Sequence, residues 1–410
     1  MPALRVVQDR ARVVAGWAAA GLGLSIPLST TLDNVLIGTV IVTCLMGGRL
    51  PDHLKALRNN LAILALASFF GLLMLGTVHG DASWGERLRV LWKYNDFLLP
   101  VFFVPLFADP EVRRRALWAF GLVMALTLAL SILLVVGWQS PVSWIRGGPR
   151  NATVFKYWIA HSLFMSFTAL LAAAAAVRQE TPWKRYALFL LAAIASLDVF
   201  MFVRGRTGQV VLTALIVYWF WRRFGLRGLI AGALTASMIV AISYQVSSVF
   251  RGRIAATVQE MERAQGQTRA PVTASVALRL EWYSNTVNII RAHPLLGVGT
   301  GSFAKAYADS VSDPGAIKPA QPHNQFLLTA TELGLPGLLA LVALFAALWW
   351  WVSQGGEDFH RELGQGLLIL MTIGCMANSL LLDHAEGLFF AWMLSLVLAG
   401  MSLPSRQAAT

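Results

Sequence analysis

Charge is scarce in this chain of 410 residues: Asp, Glu, Lys and Arg make up 13% of it, about half the ~25% of an average soluble domain. That scarcity excludes an intrinsically disordered chain, which needs high charge and few apolar residues. Cysteine is nearly missing too. Cys44 and Cys375 both lie inside apolar runs, where a free thiol behaves as a small hydrophobe. A disulfide-stapled secreted domain is therefore excluded, and no redox pair can be argued. The sequence has no Walker motif, no Gly-x-Ser-x-Gly elbow, no Asp-x-Asp pair and no zinc-spaced Cys/His cluster. Nucleotide-driven pumping, a soluble-type hydrolase and a metal-held sugar nucleotide thus lack support. No metal site and no cofactor is expected.

Apolar residues are what the chain has in excess, at 57%. Twelve membrane helices of ~20 residues would take ~240 residues, close to that share. Apolar runs fall at 12–28, 32–47, 61–78, 94–108, 116–138, 153–177, 185–203, 207–221, 226–247, 325–352, 363–382 and 386–403. They predict an all-α polytopic membrane protein with about twelve transmembrane helices. The organisation expected is 1–247 for helices one to nine, 248–322 for a helical loop region docked on the bundle, and 323–410 for the last three helices.

The net charge of +12 would suggest nucleic acid in a soluble protein. Here most basic residues sit in short loops, where they set membrane orientation, and no nucleic-acid partner is expected. With the N-terminus inside, 17 Lys and Arg fall in inner segments and 8 in short outer ones. That asymmetry predicts both termini in the cytoplasm and 248–322 outside.

Eight basic residues in short outer loops still need a reason. Arg146, Arg150, Lys156, Arg204 and Arg206 suggest either an anionic ligand at the outer membrane boundary or contact with lipid headgroups. Arg204-Gly205-Arg206-Thr207-Gly208-Gln209 combines arginine forks with a helix start that Thr207 can cap. Those are elements of a phosphate site, with glycines that would let a ligand near the backbone. Asp198 could orient one guanidinium.

In the outer segment, Val276, Leu280, Tyr283, Val287 and Ile290 form a helical stripe with Arg279 at its edge. Arg279 then faces either the bundle or a ligand. His293-Pro294-Leu295-Leu296-Gly297-Val298-Gly299-Thr300-Gly301 ends that helix in a tight irregular turn. His323, in Gln321-Pro322-His323-Asn324-Gln325, stands at a helix start, where the dipole keeps an imidazole neutral. It is either a structural residue or a general base. Gly334, Pro336 and Gly337 predict a break in the following helix, with Glu332 beside it as a possible arginine partner. Asp383 adds a carboxyl in the last outer turn.

The strings RGRTGQ, HPLLGVGTGSF and HNQFLLTATELGLPGLL together resemble the O-antigen ligase and polymerase superfamily of bacterial envelopes. The resemblance implies a metal-independent, inverting glycosyltransferase of the bacterial inner membrane with its active site facing the periplasm. Its donor would be a glycan on undecaprenyl pyrophosphate and its acceptor a sugar hydroxyl of lipid A–core. It further implies that Arg206 and Arg279 stabilise the pyrophosphate and that His323 is the general base. Arg204, Arg146, Arg150, Asn324, Glu332 and Asp383 are candidates for substrate binding. The superfamily's O-antigen polymerases and protein-directed oligosaccharyltransferases share these strings. A lipid-linked glycan transporter is the reading from another class.

Overall fold

The computed structural model describes residues 2–48, 51, 54, 58, 60–145, 147–248, 250–252, 254–256, 258, 275–313 and 315–401. Arg146 lies outside them. The helices are α1 (Pro2–Leu28), α2 (Thr30–Met46), α3 (Leu61–Gly76), α4 (Trp84–Lys93), α5 (Pro100–Phe107), α6 (Pro110–Val135), α7 (Trp158–Ala176) and α8 (Pro182–Leu197). They continue as α9 (Arg206–Val246), α10 (Ser275–Ala292), α11 (Phe303–Ser310), α12 (Gln325–Ser353), α13 (Asp358–Ala377) and α14 (His384–Gly400).

The protein is all-α and multi-pass, but the expectation of about twelve membrane helices is wrong. Among the described residues six helices are long and apolar enough to cross: Arg5–Leu28, Pro110–Val135, Trp158–Ala176, Pro182–Phe202, Arg206–Val246 and Gln325–Ser353. The sequence reading treated every apolar run as a crossing. Several runs fold into helices that are too short, at 17 residues for Thr30–Met46, 16 for Leu61–Gly76 and 17 for His384–Gly400. The run 94–108 is cut to an eight-residue helix opening at Pro100, because a proline lacks the N–H that would continue a preceding turn. The separate runs 207–221 and 226–247 form one element that bends at Gly225, where φ is 59°. Its two halves fold together closely enough that a Cβ on Gly232 would lie 2.8 Å from the Val217 Cα.

Helix α14 is the hub. Nearly all of its side chains are buried, as expected of a helix apolar on every face. Trp392 donates its indole N–H to the Ala19 carbonyl at 2.8 Å and meets Phe107 edge-on. Phe389 stacks on Phe120 with centroids 5.3 Å apart. Outer helices turn large apolar side chains outward, such as Trp118 on α6 and Tyr186 on α8, as a lipid-facing surface requires. One polar cluster inside the bundle is matched. Asp198 accepts from Ser131 and pairs with His161 at 3.0 Å. The Val154 N–H donates to His161 Nδ1, which leaves Nε2 as the donor toward Asp198.

Helix α12 breaks at Gly334, with φ 68° and ψ −171°. The break frees carbonyls that an unbroken helix would use, and the glycine loop 297–301 takes them. Val298 N donates to Thr331 O at 2.8 Å and Gly299 N to Glu332 O at 2.9 Å. Pro336 has no N–H to compete for that Glu332 carbonyl. In return Leu335 N, released from its own helix, donates to Pro294 O at 2.8 Å. Gly297, Gly299 and Gly301 all have positive φ, at 67°, 89° and 79°. A Cβ on Gly299 would sit 2.4 Å from the Gly80 Cα, so only glycine fits this latch.

Candidate functional site

Three chain segments meet where α9 starts, where α12 starts and where α13 ends. Gly205 is the N-cap of α9, with extended backbone and no side-chain cap. The expected Thr207 cap does not form. Thr207 is buried, and its Oγ1 accepts from Asn378 Nδ2 at 3.1 Å. Gly205 and Gly208 do not open the backbone to a ligand. A Cβ on either would lie 2.5 Å or less from Ser162 Oγ, so these glycines seat α9 against α7. Arg206, the first residue of α9, is half-buried, while Arg204 is exposed. Arg204 is held by its neighbours: its N–H donates to Asn151 Oδ1 at 3.0 Å and its Nε to Arg150 O at 3.3 Å. Arg150 is exposed beside it.

His323 stands just ahead of α12 with φ 54°, the one non-glycine residue with positive φ among those described. Such a conformation is strained for a β-substituted residue and is often found at functional sites. Two contacts hold it, and the next residue anchors the chain. Its ring stacks on Trp282, with centroids 5.4 Å apart and planes 25° apart. Its carbonyl accepts from the Tyr283 hydroxyl at 3.2 Å. Asn324 caps α12 through Phe326 N and Leu327 N and donates Nδ2 to Met376 O at 2.9 Å. The Asn378 amide, tied to Thr207 through its Nδ2, lies beside the ring. Burial lowers the His323 pKa first, and the neighbouring Arg279 cation lowers it further against the opposing effect of Asn378. The imidazole is therefore neutral near pH 7, as a general base must be.

Arg279 lies on the inner side of α10, not at the edge of the expected stripe. Leu280 is 55% exposed, whereas Thr286 and Ile289 are buried and Trp282 and Tyr283 half-buried. The helix turns its aromatic pair inward because those rings bury more area than Leu280 would. Arg279 follows them to the His323 side. No carboxylate lies within ion-pair distance of it among the described residues.

Glu332 does not hold an arginine. It is buried, and its Oε1 accepts from Gly301 N at 2.9 Å, which fastens the glycine latch. Asp198 serves the bundle interior through Ser131 and His161. Asp383 is the N-cap of α14, and burial raises its pKa against the opposing effects of Lys93 and a hydrogen bond from Gln321. No group of three or more His, Cys, Asp or Glu that could hold a metal ion occurs among the described residues.

The sequence motifs missed Asn378 and Trp282. One signal was available for Asn378: with Ser379 it interrupts the apolar run that ends at Leu382, and polar groups at membrane depth are functional candidates by default.

Fold and site together define a multi-pass, all-α membrane protein. Residues 188–342 match the family model described as O-antigen ligase, which supports membership in the ligase and polymerase superfamily. The matched stretch contains Arg206, Arg279 and His323. No curated protein matches the chain.

Proposed function

We propose that the chain moves a glycan from undecaprenyl pyrophosphate to a sugar hydroxyl of lipid A–core, as an O-antigen ligase at the periplasmic face of a bacterial inner membrane. The observation that supports this best is the meeting of three segments: Asn378 bonds Thr207 beside Arg206, and Asn324 beside His323 bonds Met376 at the same end of α13. In this reading both termini are cytoplasmic and 248–322 is the periplasmic loop region between two membrane parts, 1–247 and 323–410.

His323 takes the proton of the acceptor hydroxyl. The hydroxyl oxygen attacks the anomeric carbon, and the bond from that carbon to the phosphate oxygen breaks. The electron pair stays on the pyrophosphate, which leaves as undecaprenyl pyrophosphate, and the anomeric carbon inverts. Arg206 and Arg279 stabilise the charge that grows on the leaving group, with the N-terminal amides of α9 beside them. That work needs no metal ion. Arg150 and Arg204 contact the donor glycan or headgroups nearby, and Arg146 is assigned the same role from sequence. Asn324 fixes the base's loop, Glu332 the latch behind it, and Asp383 the acceptor side.

The test is transfer by purified protein from a lipid-linked glycan to lipid A–core, with donor affinity measured separately. His323→Ala should lose about 10²–10⁴ in turnover and keep its donor affinity. Lost affinity with normal turnover of bound donor would sink the base assignment. Donor glycans joined to one another, with none on lipid A–core, would make the protein a polymerase.

A further inference from the structure

A second cavity, of about 720 Å³, opens between the α1–α2 turn, residues 155–160 and the start of α14. Its volume falls in the range of small-molecule sites, about 300–1,000 Å³. Trp144, Tyr157 and Trp158 line it with rings that are each 45% exposed or more. Lys156, Asp383 and Glu386 line it with polar groups, and Glu386 is more than nine-tenths buried. Lys156 is already engaged: its Nζ donates to Thr30 Oγ1 at 3.2 Å and lies 3.8 Å from the fully buried Asp33. His384 Nε2 stands 3.5 Å from the same Asp33 Oδ2, which has no hydrogen bond among the described residues.

The lining sorts the possible occupants. A phosphate or an acidic sugar needs surplus positive charge, and here the one lysine that lines the space already lies beside Asp33. A lipid tail needs an apolar wall, and carboxyls at the rim oppose it. Flat ring faces beside hydrogen-bonding carboxyls suit a sugar, whose C–H faces pack on aromatics while its hydroxyls donate to carboxylates. Position agrees with this. Asp383, which lines the cavity, also lies near Gln321, two residues before His323 in the loop of the candidate base.

We propose that this cavity binds a neutral, hydroxyl-rich sugar ring of the acceptor, with Glu386 holding its hydroxyls and Trp158 its apolar face. The role as acceptor subsite rests on the transfer reaction proposed above; the sugar binding itself does not.

The experiment measures binding of a delipidated, dephosphorylated core oligosaccharide to the purified protein with no donor present. Wild type should bind it saturably. Glu386→Gln and Trp158→Ala should each weaken binding about tenfold, the scale of one lost buried hydrogen bond or contact. Thr30→Trp, at an exposed rim position, should block the cavity without removing any buried group, so it guards against a misfolded variant. Trp183→Ala, an exposed ring at the start of α8, should bind as wild type does. In transfer assays the cavity variants should raise KM for acceptor and leave KM for donor unchanged. Wild-type binding by all three cavity variants, or binding only of the phosphorylated oligosaccharide, would overturn the assignment. If the rings merely anchor the protein in lipid, their loss shifts melting in bilayers and spares sugar binding, which also overturns it. Sugar binding that depends on the cavity without any transfer by wild type would leave the subsite standing and remove the ligase reading.

Discussion

At one end of the bundle Glu362, fully buried, accepts from Arg178 at 2.8 Å and from Arg223 at 2.7 Å. Asp358 beside it binds Arg178 at 2.7 Å, Arg361 at 3.0 Å and also Arg222. Tyr218 and Gln365 complete that cluster with a hydrogen bond of 2.9 Å. At the other end, 17 residues or about 26 Å back along α9, Arg279 stands near enough to Tyr283 and His323 to lower the pKa of each, with no carboxylate in ion-pair distance among the described residues. Arginine is a clamp in the first place. In the second, the reading proposed above gives its fork to the pyrophosphate. Matched buried charges resist rearrangement, because removing one partner strands the other. An arginine held without an acid keeps its stabilising power for an incoming anion.

The largest effect expected on this contrast is structural. Glu362→Ala takes the fully buried carboxylate from Arg178 and Arg223 and leaves them Asp358 alone, which should cost about 3 kcal/mol of stability, read as a large drop in thermal midpoint in detergent. Arg279→Ala should leave that midpoint nearly unchanged. If both variants melt alike, the division into clamp and site is wrong. Next in size is Arg279→Ala in transfer, with a loss of about 10²–10³ in turnover, the usual effect of removing one charge-stabilising donor. Arg279→Lys should recover little, since lysine keeps the charge and loses the fork. Full recovery would mean that point charge alone is used.

A smaller effect sharpens the contrast through pH. His323 must be neutral to work, and its pKa lies below the ordinary ~6.5 of histidine. Activity should therefore be flat above that value and fall as pH drops through a lower midpoint. Asn378→Ala removes a neighbour that favours the protonated ring, so the midpoint should move further down while turnover falls through lost positioning. An unchanged midpoint would reduce Asn378 to a packing role. The smallest effect is none: activity should survive chelation with EDTA. A loss restored by a divalent ion would overturn the assignment of pyrophosphate stabilisation to arginine.

Part of this was legible in the sequence because function there rests on local strings. His323 and Arg206 each open a helix, and a helix opening can be read from a few adjacent residues. The break at Gly334 was legible for the same reason. What was not legible depends on distant pairing. Asn378 is 171 residues from Thr207, and neither residue carries any mark of the other. The face of α10 misled at one position, because apolar periodicity put Leu280 with Tyr283 and left out Trp282, while packing prefers the larger ring. The helix count misled because hydropathy measures how apolar a run is. It does not measure how much of the run stays helical once Pro100 or Gly225 intervenes. Glu332 was placed at the right break and given the wrong partner, since sequence shows an acid near a bend and not the backbone N–H groups that a glycine loop delivers to it.

The break at Gly334 also separates two mechanical duties. The short part of α12 from Gln325 to Leu333 is pinned by the glycine latch on one side and by Asn324 and Met376 on the other. The longer part beyond Gly334 runs to Ser353 with Leu335, Leu339 and Val342 turned outward. Bilayers differ in thickness by a few ångströms, and a long apolar helix answers by changing its tilt. Here the tilt has a joint to turn on, so the outer stub that begins beside His323 keeps its aim while the membrane around the rest of the helix thickens or thins.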